Sequence, residues 1–125
     1  MTGRADIGAR RDEASAEWFD GLAEGRLLVR LCPDGHASRP EVLSCDVCGS
    51  ADLGWTPSQG RGTVVALATD HAGGVATLLG IVELVEGPWL ITRIDGRPLA
   101  RGETAVVRVV FPVEGEPYPV VTAAD

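Results

Sequence analysis

Residues 32–49 read CPDGHASRPEVLSCDVCG, and every cysteine of the chain lies among them. Cys45-Asp46-Val47-Cys48-Gly49 has the two-residue spacing that lets two thiolates face one tetrahedral metal ion, while Gly49 takes up the tight turn behind them. The expected mate is a second Cys-x-x-Cys upstream. The chain instead has Cys32-Pro33-Asp34-Gly35-His36, with twelve residues between Cys32 and Cys45, so one thiolate is missing. Two readings of the gap stand side by side. In one, the imidazole of His36 completes a structural zinc set of Cys32, His36, Cys45 and Cys48. In the other, the metal has been lost and the ribbon persists by packing on its surroundings. A catalytic zinc would call for histidine or carboxylate ligands around an open position. Three cysteines in one short segment also speak against a disulfide framework.

Upstream of this segment, residues 1 to about 11 carry Gly, Arg and Ala without periodicity and read as a mobile tail. From Asp12, a capping residue, the pattern becomes helical. Ala14, Trp18 and Leu22 share one face with Phe19 beside it, and Gly25 suits the position after the helix. Arg26 to Leu31 then reads as a strand leading to Cys32.

Downstream of Trp55 the chain turns into β-branched runs divided by Gly, Pro and acidic turns, with no second helical period. The expected strands are Gly62–Asp70, Val75–Leu84, Trp89–Ile94, Thr104–Phe111 and Tyr118–Thr122. Five short strands in this space are too few for a sandwich but suit a closed barrel of the OB kind, in which closure removes free edges. The expected fold is therefore mainly β: an N-terminal amphipathic helix, a rubredoxin-like zinc ribbon with one ligand apparently lost, and a five-stranded OB-fold barrel. The expected organisation is tail and helix over 1–25, ribbon over 26–58 and barrel over 59–125.

At 125 residues, 45% of them hydrophobic, the chain can build one real core and not a second large domain. No apolar run approaches the roughly 18 residues that span a bilayer, and the N-terminus lacks the apolar stretch of a signal peptide. No membrane partner is expected, and the expected location is cytoplasmic. The formal charge of −7 and an aromatic content of 5% weigh against nucleic acid, because an OB barrel holds single strands on aromatic platforms in a basic groove.

The order and spacing of several segments resemble the zinc-ribbon plus OB-fold proteins associated with acyl-CoA enzymes, long labelled domain of unknown function thirty-five. The resemblance runs through Trp18-Phe19-Asp20-Gly21-Leu22-Ala23-Glu24-Gly25-Arg26-Leu27-Leu28, then Cys32 and Cys45-Asp46-Val47-Cys48-Gly49-Ser50. It continues through Gly60-Arg61-Gly62-Thr63-Val64, Ile81-Val82-Glu83-Leu84 with Glu86-Gly87-Pro88, and Gly102 before Val106-Val107-Arg108-Val109-Val110-Phe111. Two departures concern the ribbon: Cys32-Pro33-Asp34-Gly35 looks like the family's Cys-x-x-Cys-Gly with the second cysteine deleted, and Ser38-Arg39-Pro40-Glu41 stands in place of an apolar-proline stretch. The resemblance implies a non-catalytic accessory subunit of a thiolase-fold enzyme, such as a sterol-carrier-type thiolase or an aldolase of steroid side-chain degradation. It implies a CoA thioester held mainly by the partner, and a two-plus-two heterotetramer follows from the usual thiolase-fold dimer. A hydratase partner and a single-stranded nucleic-acid-binding protein are the alternatives.

No catalytic residues are assigned. His71 reads as a hairpin-end residue and Glu83 as a solvated strand residue, since tuning either for proton transfer needs a specific neighbour. Two features suggest contact with a partner. The helix carries Trp18, Phe19 and Leu22, whose exposure would leave an apolar patch; the chain's own barrel or ribbon is the other candidate for covering it. The strand Thr104–Phe111 sets Val106, Arg108 and Val110 opposite the equally apolar face of Val107, Val109 and Phe111, with a face-swapping bulge as the alternative explanation.

Overall fold

A computed structural model of the chain describes residues 15–124. The expected tail, the Asp12 cap and Ala14 lie outside the described residues. Helix α1 runs Ala16–Ala23, and its first turn closes through the Phe19 N–H on the Ser15 carbonyl at 3.1 Å. Its apolar side is short but deeply used. Leu22 is fully buried and Phe19 is 5% exposed, while Trp18 packs edge-on to Phe19 with ring centroids 4.9 Å apart. Burying a leucine side chain contributes about 2 kcal/mol. Gly21 costs the helix roughly 1 kcal/mol against alanine, yet a Cβ there would stand 2.7 Å from Leu28 Cγ. The missing side chain therefore lets α1 settle onto the next strand.

Strand β1 spans Leu28–Leu31, β2 Ala37–Ser38 and β3 Gly54–Pro57. They form an antiparallel sheet in the order β2-β1-β3, with Arg30 opposite Ser38 on one side and Trp55 on the other. The expected strand from Arg26 begins at Leu28. β2 and β3 were not expected, because two- and four-residue pieces carry no readable period.

The remaining strands are β4 Arg61–Asp70, β5 Thr77–Leu84, β6 Trp89–Arg93, β7 Thr104–Val110 and β8 Tyr118–Ala123. Their order is β6-β5-β4-β7-β8, all antiparallel. A register shift between Val64 and Ala66 bends the long β4, as bulges do. The sheet curls until its two ends meet. Ile94 bridges Val121 in parallel, the Asp95 N–H donates to the Val121 carbonyl at 2.9 Å, and the Thr92 hydroxyl donates to the Pro119 carbonyl at 2.6 Å. The fold class expected from the sequence is thus present: one short helix, a ribbon and a curled five-stranded sheet.

One core runs through all three. Val64, Val82, Leu84, Ile94, Leu99, Ala105 and Val121 of the curled sheet and its loops join Leu27 and Val29 of the ribbon and Phe19 and Leu22 of α1. No helix among the described residues is long and apolar enough to cross a membrane.

Candidate metal centre

Two tight turns present the cysteine cluster. In the first, between β1 and β2, the Cys32 N–H donates to the His36 carbonyl at 3.0 Å and the Gly35 N–H to the Cys32 carbonyl at 3.0 Å. In the second, the Cys45 N–H donates to the Ser50 carbonyl at 2.8 Å and the Gly49 N–H to the Cys45 carbonyl at 2.9 Å. Gly49 holds φ at 78°, the left-handed conformation such a turn requires.

These turns bring Cys32, His36, Cys45 and Cys48 together, and one ligand atom from each lies within 4.8 Å of all the others. His36 Nδ1 is 3.3 Å from Cys32 Sγ, and Cys48 Sγ is 3.7 Å from Cys32 Sγ. The imidazole stands at the fourth corner, where the sequence lacks a thiolate. Three sulfurs and one nitrogen at this separation fit a tetrahedral metal ion. Cys32 and Cys45 are buried, and Cys48 is exposed.

The backbone prepares the site for negative charge. The Cys48 N–H points at Cys45 Sγ at 3.5 Å and the Val47 N–H at 3.3 Å. Led by the Cys48 amide, these donors hold the Cys45 thiol down from 9.0 to about 6, against the opposing effect of burial, with the Cys48 and Ser38 side chains adding to the fall. At Cys48 the Ser50 amide works downward, but the hydrogen bond shared with Cys45, burial and the nearby Cys32 together push its thiol up. Within the cluster one thiol is thus readied as a thiolate ahead of another. Ser38, 1% exposed, was not singled out by sequence. It joins the two turns, since its Oγ accepts the Asp46 N–H at 3.1 Å. An isolated serine two residues beyond a histidine gives no sign of that role.

The residues expected at a partner interface fall into two groups. Phe19 and Leu22 lie inside this chain's own core; Leu22 has no exposed surface, while Phe19, 5% exposed, also borders the groove between α1, the ribbon and the curled sheet. Trp18 is half-buried against the same core. On β7, Val106 and Val110 are half-buried, and the Arg108 guanidinium pairs with the Asp95 carboxylate. The β7 face with Val107 and Val109 packs against the core, without a register shift between β7 and β8. His71 sits exposed after β4, and Glu83 is exposed on β5.

Residues 19–54 match the family described as ChsH2, rubredoxin-like zinc ribbon domain. The fold of the chain is similar to that of a solved chain described as Ltp2-ChsH2(DUF35) aldolase, with a TM-score of 0.78 and 23% identity, over 94% of this chain and 99% of that one. It is also similar to a DUF35-family protein of unknown function from Sulfolobus solfataricus, with a TM-score of 0.60 and 15% identity, over 90% of this chain and 84% of that one. No curated protein matches the sequence. The resemblance read from the sequence is thus matched by the ChsH2 ribbon model over residues 19–54 and by the fold of DUF35-family structures.

Proposed function

We propose that this chain is a non-catalytic accessory subunit of a thiolase-fold acyl-CoA enzyme, a sterol-carrier-type thiolase or a steroid side-chain aldolase, stabilised by one structural zinc ion. The observation that carries the reading is the likeness over 94% of the chain to a chain of the Ltp2-ChsH2(DUF35) aldolase. The chemistry of the chain's own residues supports it. Its three thiols and one of its two histidines are drawn into a single four-donor cluster, which uses its strongest nucleophiles as ligands. Cys32, His36, Cys45 and Cys48 would hold the zinc, and the ion would tie the two turns of the ribbon together.

Reactive groups and the CoA thioester are then held mainly by the enzyme, while this chain contributes assembly, stability or substrate handling. Because thiolase-fold enzymes are generally symmetric dimers, a docking surface present once per enzyme subunit recruits two copies of this chain, giving a two-plus-two heterotetramer. The location that suits such a complex is the cytoplasm. The test is co-purification of the tagged chain from its native host, with the bound protein identified and the mass of the complex measured. Recovery of an acyl-CoA enzyme in a two-plus-two complex is expected. Turnover of an acyl-CoA thioester by the purified chain alone, or recovery of no acyl-CoA enzyme, would overturn the assignment.

A further inference from the structure

All three tryptophans of the chain line one groove. Trp18 comes from α1, Trp55 from β3 and Trp89 from β6, and together they border a volume of about 870 Å³ between the ribbon and the curled sheet. Its lips are apolar and open. Leu43, from the segment before Cys45, is 86% exposed, Ile91 of β6 is 64% exposed and Trp89 is 52% exposed. A core would have drawn these side chains inward; leaving them in water is costly, and contiguous exposed apolar surface of this kind marks a contact site. Tryptophan is also the residue type that most often anchors one protein in another.

Charge specifies the occupant further. Arg39, at the same groove, is answered by Glu41 at 3.6 Å and Asp46 at 3.8 Å. Arg30 is not. Its guanidinium lies over the Trp55 ring, 4.2 Å from the centroid, and its Nε is buried with no hydrogen-bond partner. Among the described residues no carboxylate pairs with it, although the chain carries 18 acidic side chains. A half-buried cation stacked on an indole at the edge of an apolar groove is complementary to a carboxylate delivered on an apolar segment.

We propose that this groove docks an apolar segment of a partner protein bearing a carboxylate that pairs with Arg30. The accessory-subunit reading supplies the identity of the partner, the acyl-CoA enzyme; the chemistry of the groove stands without it. This contact surface leaves out the fully buried Leu22 and retains Trp18 and Phe19 in its wall.

Two measurements test it. The first uses anilinonaphthalene sulfonate, an aromatic anion, on the full chain alone. Because every tryptophan borders the groove, binding should quench tryptophan emission with energy transfer to the dye. Arg30→Gln should weaken binding about tenfold, the worth of one charge-assisted bond, and Arg101→Gln in the exposed turn before β7 should leave it unchanged. Absence of quenching, or equal affinity in Arg30→Gln, overturns the proposal. The second uses size-exclusion chromatography with the acyl-CoA enzyme recovered by co-purification. Ile91→Asp should keep the melting temperature of the free chain and abolish co-elution. Unchanged co-elution overturns the groove and leaves the accessory-subunit reading intact. If the wild-type chain binds no acyl-CoA enzyme, that reading falls and the dye titration alone decides the groove. A dimer of the chain by itself that Ile91→Asp dissolves would assign the groove to a second copy and overturn the proposal.

Discussion

The Sγ atoms of Cys32 and Cys48, sixteen residues apart in sequence, stand 3.7 Å from each other. A tetrahedral zinc with bonds of about 2.3 Å sets its sulfurs roughly 3.8 Å apart. The two turns of the ribbon are thus held at the spacing the ion needs. Protein purified without chelator should contain about one zinc per chain by elemental analysis. His36→Ala should lower zinc affinity by more than about a hundredfold, since even groups that only support a ligand are worth ten- to hundredfold. Negligible zinc in folded wild-type protein would favour the reading in which the ribbon has lost its metal.

The thiol of Cys45 supplies a pH dependence in the metal-free chain. Its folded value is about 6, against 9.0 ordinarily. The folded state thus favours the thiolate, and the stability this contributes is complete above about pH 9 and is lost progressively as the pH falls to about 6. Thiolate absorbance should show one group still ionised at pH 7 and losing its charge near 6. A first step near 9 would mean that the Cys48 and Val47 amides do not hold the charge.

Much of this fold is legible in the sequence because its signals are local. The runs at 62–70 and 104–111 are β-branched and bounded by glycine or acidic turns, and they fold as Arg61–Asp70 and Thr104–Val110. The spacing of Cys45 and Cys48 announces a ligand pair. Two things were not legible. The pairing of Arg30 with Trp55 depends on β3, a four-residue strand without a period, so the groove was hidden. An amphipathic helix also shows that one face must be covered without showing by what, and here the chain's own core takes Phe19 and Leu22.

Gly62 lies on β4 where the backbone of β5 leaves no room for a side chain. A Cβ there would stand 2.2 Å from the Glu83 carbonyl oxygen, and strand backbone cannot yield as a flexible side chain would. Gly62→Ala should cost about 3 kcal/mol or more in urea denaturation. A loss below about 1 kcal/mol would show that β5 moves aside freely.

Removing metal should act locally. The shared core is built from α1, the β1 region and the curled sheet, without the turn carrying Cys45 and Cys48. A chelator should therefore leave the main thermal transition in place while increasing amide exchange at residues 45–50. Cooperative unfolding of the whole chain on chelation would show that the ribbon's metal, not the apolar core, holds the fold.

The burial of Leu22 yields the sharpest separation between folding and docking. With no exposed surface in the free chain, Leu22→Ala leaves a cavity beneath α1 and should lower the stability of the free chain by about 2–5 kcal/mol. The urea midpoint should fall while the slope of the transition stays constant. Ile91→Asp, at an exposed position on β6, should leave that midpoint within about 0.5 kcal/mol of wild type. Were Leu22 instead a side chain held in reserve for a partner, its truncation would spare the free chain and weaken only the complex. A Leu22→Ala chain as stable as wild type would therefore return Leu22 to the interface.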